Sequence, residues 1–324
     1  MTVWLVRRVA AAAATVFAVV TLTFFLVHAA PGTPFLPGSE RPADPAVVEG
    51  LRRQFGLDRP LPVQYARYLA GLATGNLGMS FTLRRPVADA IAEAVPNTLV
   101  LAAAALVIDL GLGLVLGLYL ATHARRAGDT ALGGALLLLQ SVPTFWLGLV
   151  LLLVFGQWLS WFPVGGVTDP VVYPALTWTG KAADRLWHLA LPALTLGLVA
   201  AAGTARFQRA ALLEVLGQPF VRAARAKGLP ERRLVLVHAL RNALLPLITL
   251  FGLSFPFLLT GAVLIETIFA WPGMGKLAAD AVFLRDYPLV TAVALVASVM
   301  VVLGSLIADL LYAAADPRIR LRDS

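Results

Sequence analysis

Cysteine is absent from the 324 residues. That excludes a disulfide framework and any thiolate metal site. Charge is scarce: Asp, Glu, Lys and Arg make up 14% of the chain, against about 25% in a soluble domain. The four histidines (His28, His123, His188 and His238) are scattered, and none has a histidine partner at helical spacing. No metal site or hydrolytic acid–base constellation can be assembled from them. A nucleotide cradle is missing too. The stretch "WPGMGKLAAD", residues 271–280, contains Gly275-Lys276, but a phosphate-binding loop needs Gly, four residues, Gly, Lys, then Ser or Thr. Ala270 stands where the first glycine belongs, and Leu277 where the magnesium-binding hydroxyl belongs. The stretch reads as a Pro-Gly turn instead.

What is present is apolar sequence. Hydrophobic residues make up 59% of the chain, and the formal net charge is +8. In a nucleic-acid binder the basic excess would gather on a polar domain; here it sits between long apolar runs. Six runs qualify as spans: Val9–Ala30, Pro96–Thr122 (interrupted by Asp109), Thr130–Leu159, Leu186–Thr204, Ala243–Phe269 and Leu289–Tyr312. Each reaches the roughly 20 residues needed to cross the hydrocarbon core. Backbone polar groups in lipid must be satisfied within the segment, so each is expected to be a helix, with kinks at Pro143, Pro192 and Pro256. The first run follows Arg7-Arg8 and invites signal-peptide or twin-arginine readings. Its apolar core is longer than a signal core and the small-x-small site fails at His28, so an uncleaved anchor is expected.

Orientation follows from the basic residues of the short loops. Residues 123–129 hold Arg125 and Arg126. Residues 206–241 hold Arg206, Arg209, Arg222, Arg225, Lys227, Arg232, Arg233 and Arg241, and the tail holds Arg318, Arg320 and Arg322. Residues 160–185 hold only Lys181 and Arg185, and 270–288 only Lys276 and Arg285. The expected architecture is all-α, with six transmembrane helices and both termini in the cytoplasm. Its parts are an anchor (1–30), an external segment (31–95), a five-helix core (96–314) with the loop 206–241, and a tail (315–324). In the external segment, Asp44-Pro45 starts a short helix to about Phe55. Gly56 ends it, and a second helix follows Pro62 with Tyr65, Leu69 and Leu72 on one face.

The loop 206–241 is the most informative stretch. Its core, "GQPFVRAARAKGLPERRLVLVHALRNALLP" (217–246), predicts a short helix over Phe220–Lys227, a turn at Gly228, and a second helix leading into the fifth span. Ala223, Ala224 and Ala226 let another backbone approach closely; Arg222, Arg225 and Lys227 put charge around them. A basic loop resting on anionic headgroups is the plainer alternative.

This loop resembles the Glu-Ala-Ala…Gly motif of ABC importer permeases, in the dipeptide/oligopeptide/nickel subgroup. Ala223 and Ala224 match the alanine pair and Gly228 the glycine, while Arg222 stands where the generic motif has Glu. "FGLDRPLPVQYARYLAGLATGNLGMS" (55–80), "PNTLVLAAAAL" (from Pro96), "SVPTFWLGLVLL" (from Ser141) and "ETIFAWPGMGKLAADAVFLRDYPLV" (from Glu266) resemble the same subgroup in the same order. "AAPGTP" (29–34) resembles its usual "PGDP", with Thr33 where Asp is common.

The resemblance implies a permease in a bacterial or archaeal cytoplasmic membrane, importing dipeptides, oligopeptides or a similar solute. It has no ATPase site or cofactor of its own. The implied partners are a second homologous permease, two cytoplasmic ATPases carrying ATP and magnesium, and an extracytoplasmic solute-binding protein. The residues Phe220, Arg222, Ala223, Ala224, Arg225, Ala226, Lys227 and Gly228 would dock on an ATPase. Trp271, Pro272, Gly273 and Lys276 would face the binding protein. Asp109, Gln140, Ser141 and Glu266 are candidates for the pathway. A carboxylate at mid-span costs about 3 kcal/mol on insertion scales. Asp109 is therefore expected either to meet a substrate amino group or to have a structural partner such as Gln140 or a backbone amide. Glu266 and Asp309 sit near span ends, within reach of solvent or caps. Trp158, Trp161 and Trp271 read as an interfacial belt. The rival reading is a stand-alone secondary transporter or channel, which should show an internal repeat or several buried charges along a path.

Overall fold

The computed structural model describes residues 2–30, 45–54, 56–244, 247 and 262–315. Among them helix dominates and no strand occurs; one isolated bridge pairs Met79 with Pro86. The chain divides into two compact units, residues 1–98 with 272–302 and residues 99–271 with 303–324.

Among the described residues, four helices are long and apolar enough to cross a membrane: Val6–Ala29, Val87–Thr122, Trp178–Leu216 and Tyr287–Ile307. A fifth crossing exists if Ala127–Ser141 and Thr144–Trp158 form one span. The run expected over Ala243–Phe269, with Pro256, lies mostly outside the described residues. Large apolar side chains stand exposed along these helices, among them Leu26, Val107 and Leu138 at 70–72%. That is the surface a hydrocarbon solvent requires and water penalises.

In the first unit the helix Thr2–Ala29 packs through Phe24, whose ring stacks on Tyr68 at 5.3 Å, and Thr21 Oγ1 lies 2.7 Å from Tyr65 Oη. The two short helices expected between the first spans form as Pro45–Gln54 and Leu61–Ala73. Gly56, at φ +69°, closes the first with Leu57 N–H donating to Arg52 O at 2.8 Å. This is the six-to-one bond of a glycine C-terminal turn. The core is Val87, Ile91 and Ala94 packed with Met274, Ala281, Leu289 and Val293.

Asp286 fastens this unit. Its carboxylate is fully buried and accepts from Ser80 Oγ (2.5 Å), Thr82 N–H (2.9 Å) and Leu289 N–H (3.2 Å). It therefore caps the helix Tyr287–Ala315 and ties down the 80–83 turn. Asp286→Ala leaves these donors without an acceptor and is expected to cost about 2–4 kcal/mol. Thermal unfolding in detergent reads this; an unchanged midpoint would contradict the staple.

Two corrections to the sequence expectation concern helix bounds. The helix expected from Pro96 already begins at Val87, with Pro96 inside it. Leu186–Thr204 is the middle of a longer helix, Trp178–Leu216, started by Thr177 accepting from Gly180 N–H. Arg206 and Arg209 therefore lie on a helix, not in a loop. The third correction is larger. Residues 130–159, expected as a span kinked at Pro143, are broken there into two helices, and the chain bends by 100° between Ser141 and Thr144. Val142 is extended at φ −77°, ψ 130°, as the residue before a proline prefers, and Pro143 supplies no donor to the preceding turn. Beyond Leu151 the helix continues in wider, π-type turns over Leu152–Trp158.

Glycines let the helices Val87–Thr122 and Trp178–Leu216 approach closely. A Cβ on Gly113 would lie 2.6 Å from Thr204 Cγ2, one on Gly117 2.7 Å from Ala205 O, and one on Gly197 2.6 Å from Ile108 Cβ.

Candidate coupling site

The helix expected over Phe220–Lys227 forms as Pro219–Ala226. Proline at the first helical position gives up no needed donor. Lys227 caps the end and Gly228 turns the chain at φ +77°, with Leu229 N–H donating to Ala224 O at 3.3 Å. An L side chain is strained at that φ. The chain then re-enters helix at Glu231–Arg233, widens to π-type turns over Leu234–Ala239 and narrows again at Leu240–Ala243.

One residue anchors the hairpin. Val221 is fully buried in a cluster with Ala121, Leu212, Leu234 and Ala239. The opposite face is bare: Phe220 is 46% exposed, and Arg222, Ala223, Arg225, Ala226 and Lys227 are exposed, with Ala224 half-buried. The arrangement is a short lever with one apolar foot in the protein and small residues outward. Its charges are not all free. Arg225 donates to Glu231 at 3.0 and 2.6 Å, and Arg222 donates to Gly217 O at 3.2 Å. The Arg225 guanidinium holds the Glu231 carboxyl below its ordinary value. This exposed clasp is kept at neutral pH and lost as pH falls through that lowered range. Lys227 is the cation most open to a partner.

Sequence reasoning missed the brace above the hairpin. Arg209 Nε and Nη2 each donate at 2.8 Å to the two oxygens of Asp129, and Arg125 N–H adds a third bond at 2.9 Å. Asp129 is buried. This bidentate pair fixes the 123–129 turn to the helix that leads into the hairpin. The signal available was only an Asp in a basic turn; its partner lies eighty residues away.

The other candidates are dispersed. Asp109 is buried, with Thr204 as its hydrogen-bonding neighbour and Oδ1 unpartnered among the described residues. Gln140, offered as its structural partner, accepts from Arg206 Nη1 at 2.6 Å instead. Ser141 Oγ donates to Leu137 O at 2.8 Å on an exposed face. Glu266 is fully buried, so of the solvent or caps expected to satisfy it, solvent does not reach it. For Asp309 only its place in the helix Tyr287–Ala315 is described. Trp271 is no belt residue: it is 2% exposed, packed with Leu101 and Phe269, whereas Trp158 and Trp161 are 72% and 56% exposed. Gly273 is buried as well, so within 271–276 the accessible members of the expected binding-protein face are Pro272 and Lys276.

The long apolar helices mark a membrane-embedded chain. The chain belongs to the binding-protein-dependent transport system inner membrane component family, which it matches over residues 113–321, with that family's N-terminal region matching residues 1–102. It is 41% identical over 331 residues to the di/tripeptide transport system permease protein DppB of Pseudomonas aeruginosa, covering 98% of each chain. It is 38% identical over 324 residues to the oligopeptide transport system permease protein AppB of Bacillus subtilis, covering 98% of this chain and 99% of the relative. The glutathione transport system permease protein GsiC of Escherichia coli is 39% identical over 321 residues, with 98% and 99% covered. Among solved structures, the inward-facing MetNI methionine ABC transporter shares the fold at a TM-score of 0.56 and 18% identity, over 70% of this chain and 96% of that one.

Proposed function

We propose that the chain is one of two homologous permease subunits of an importer for peptides or chemically similar solutes. Two separate ATPases drive it, and an extracytoplasmic solute-binding protein supplies it. The chief support is the hairpin Pro219–Gly228: one buried anchor, outward alanines and an open Lys227, in a chain whose near-full-length relatives are named for peptide and glutathione transport. In this reading six spans place both termini and residues 206–241 in the cytoplasm, and 271–280 outside. ATP and magnesium belong to the ATPases, and this chain binds no cofactor. Closure of the ATPase pair pushes the hairpin; the Val221 foot and the Asp129–Arg209 brace pass the push to the long helices. Swinging a two-state carrier from 1:99 to 99:1 takes about 5.5 kcal/mol of differential binding, so the lever must be stiff. Asp109, Gln140, Ser141 and Glu266 are the residues proposed to line or gate the pathway. The unpartnered Oδ1 of Asp109 is the group best suited to a peptide ammonium.

Two substitutions test the lever in the reconstituted complex. Ala224→Arg blocks close approach, and Gly228→Val strains the turn. Each is expected to reduce ATP-driven uptake by about tenfold or more, equivalent to roughly 1.4 kcal/mol of lost coupling, without unfolding the spans. Gly228→Asn tolerates the left-handed turn and should keep more uptake than Gly228→Val. Full uptake with tight ATPase binding in both Ala224→Arg and Gly228→Val would contradict the assignment.

A further inference from the structure

A cavity of about 310 Å³ opens in the first unit, and neither the hairpin residues nor the pathway candidates are among its lining residues. Four aromatic rings stand in its walls: Phe24, Tyr68, Phe81 and Tyr287. Phe24 stacks on Tyr68, and Phe81 lies 6.3 Å, ring centre to ring centre, from Tyr287. Its volume sits at the lower end of small-molecule sites, roughly 300–1,000 Å³. Sealing an aromatic-walled space of this size with water alone wastes its apolar surface.

Three polar features give the cavity a chemical preference. Arg67 lines it, is exposed, and has no ion pair or hydrogen bond among the described residues. No Asp or Glu among the described residues lines it. Gln64 lines it too, and its amide orientation is fixed: Nε2 donates to Arg59 O at 2.7 Å and to Leu57 O at 3.4 Å. The remaining atom, Oε1, is buried with no hydrogen-bond partner among the described residues, and so is Tyr68 Oη. His28 is the polar neighbour of Gln64, and Thr291 that of Tyr68. Burial pushes the Tyr68 phenol up, so it stays a neutral hydroxyl able to donate. The site therefore offers a cation, an acceptor short of a donor and a hydroxyl, set against aromatic rings. A buried acceptor without a donor is costly, and a ligand N–H removes that cost.

We propose that this cavity binds a small molecule bearing a carboxylate, an N–H group and an apolar side chain, the chemistry of an amino acid or very short peptide. Arg67 takes the carboxylate through its planar fork, Gln64 Oε1 takes the N–H, and the rings take the side chain. A fatty acid shares the carboxylate and the apolar body but has no N–H for Gln64. A cationic ligand meets Arg67 with no compensating acid. None of its lining residues belongs to the pathway proposed above, and binding needs neither ATPase nor binding protein.

The test is equilibrium binding of radiolabelled Ala-Phe to the full chain in lipid nanodiscs, without partner subunits. Saturable binding is expected. Arg67→Gln, at an exposed position that leaves thermal unfolding unchanged, should weaken it about tenfold or more, and Arg67→Lys should restore part of the loss. Ala-Phe amide, lacking the carboxylate, should compete poorly. Gln64→Met should weaken the dipeptide and leave decanoate unaffected. No saturable binding, or binding unchanged in Arg67→Gln, overturns the proposal. Decanoate displacing the dipeptide, with Gln64→Met having no effect, overturns the ligand class in favour of a lipid-derived acid. ATP-driven uptake is not read in this assay, so failure of the importer reading and failure of this site remain separable.

Discussion

Gly117→Val is expected to leave little correctly folded chain in the membrane. The new Cβ would sit 2.7 Å from the carbonyl oxygen of Ala205 and 2.7 Å from Gln208 Cβ. A backbone oxygen cannot rotate away, so the helices Val87–Thr122 and Trp178–Leu216 must separate. Overpacking costs about 1–3 kcal/mol where side chains give way, and more is expected where backbone has to move. Gly197→Val meets Ile108 Cβ at 2.6 Å and Ala105 O at 2.9 Å and should behave alike. The control lies on the first of these helices: Gly111 has nothing within 4 Å of an added Cβ. Gly111→Ala should be neutral or stabilising by up to about 1 kcal/mol, since alanine is the better helix former. Thermal unfolding followed by size-exclusion of detergent extracts distinguishes them. Equal behaviour of Gly111→Ala and Gly117→Val would mean that the close helix approach is not what these glycines provide.

The second large effect is expected at the brace above the hairpin. Asp129→Ala leaves Arg209 without its carboxylate and Arg125 N–H without its acceptor. Breaking a buried pair from one side costs about 3–5 kcal/mol. The Arg209 side chain is 34% exposed here, so solvent recovers part of it, and about 2–3 kcal/mol is expected. The double variant Asp129→Ala/Arg209→Ala should lose less than the sum of the singles, since no charge is then stranded. Additive losses would show that the two groups do not act as a pair. Asp129→Ala should also blunt ATP-driven uptake more than its stability loss explains, because the 123–129 turn braces the helix carrying the lever.

Local features were well marked in the sequence. Pro219 and Gly228 bracket a helix because one suits a helix start and the other a left-handed turn, and the hairpin formed within a residue of expectation. The same chemistry marked Pro45–Gln54 and Gly56. Apolar runs located the long helices, while their ends moved outward because capping at Thr177 and the Gly78–Pro86 turn acts beyond the hydrophobic stretch. What escaped was set by distant partners. Pro143 signals a weakened turn, but a 100° bend depends on what the chain packs against afterwards. Trp271 carries the composition of a belt residue and the environment of a core residue. Asp286 with Ser80 and Asp129 with Arg209 are joined across 206 and 80 positions, and nothing local announces either pair. Of the candidate site, the helix Pro219–Ala226 was legible and the Asp129–Arg209 pair was not.

The central claim, a permease that moves solute only when separate ATPases push the Pro219–Gly228 hairpin, is tested most directly by isolating the tagged chain from its native membrane in mild detergent and identifying what accompanies it. The account predicts a second permease of the same family and P-loop ATPases, with the ATPases lost and the second permease kept when Ala224→Arg is the bait. Recovery of the wild-type chain alone, or with copies of itself only, from membranes whose ATPases are demonstrably intact would contradict it.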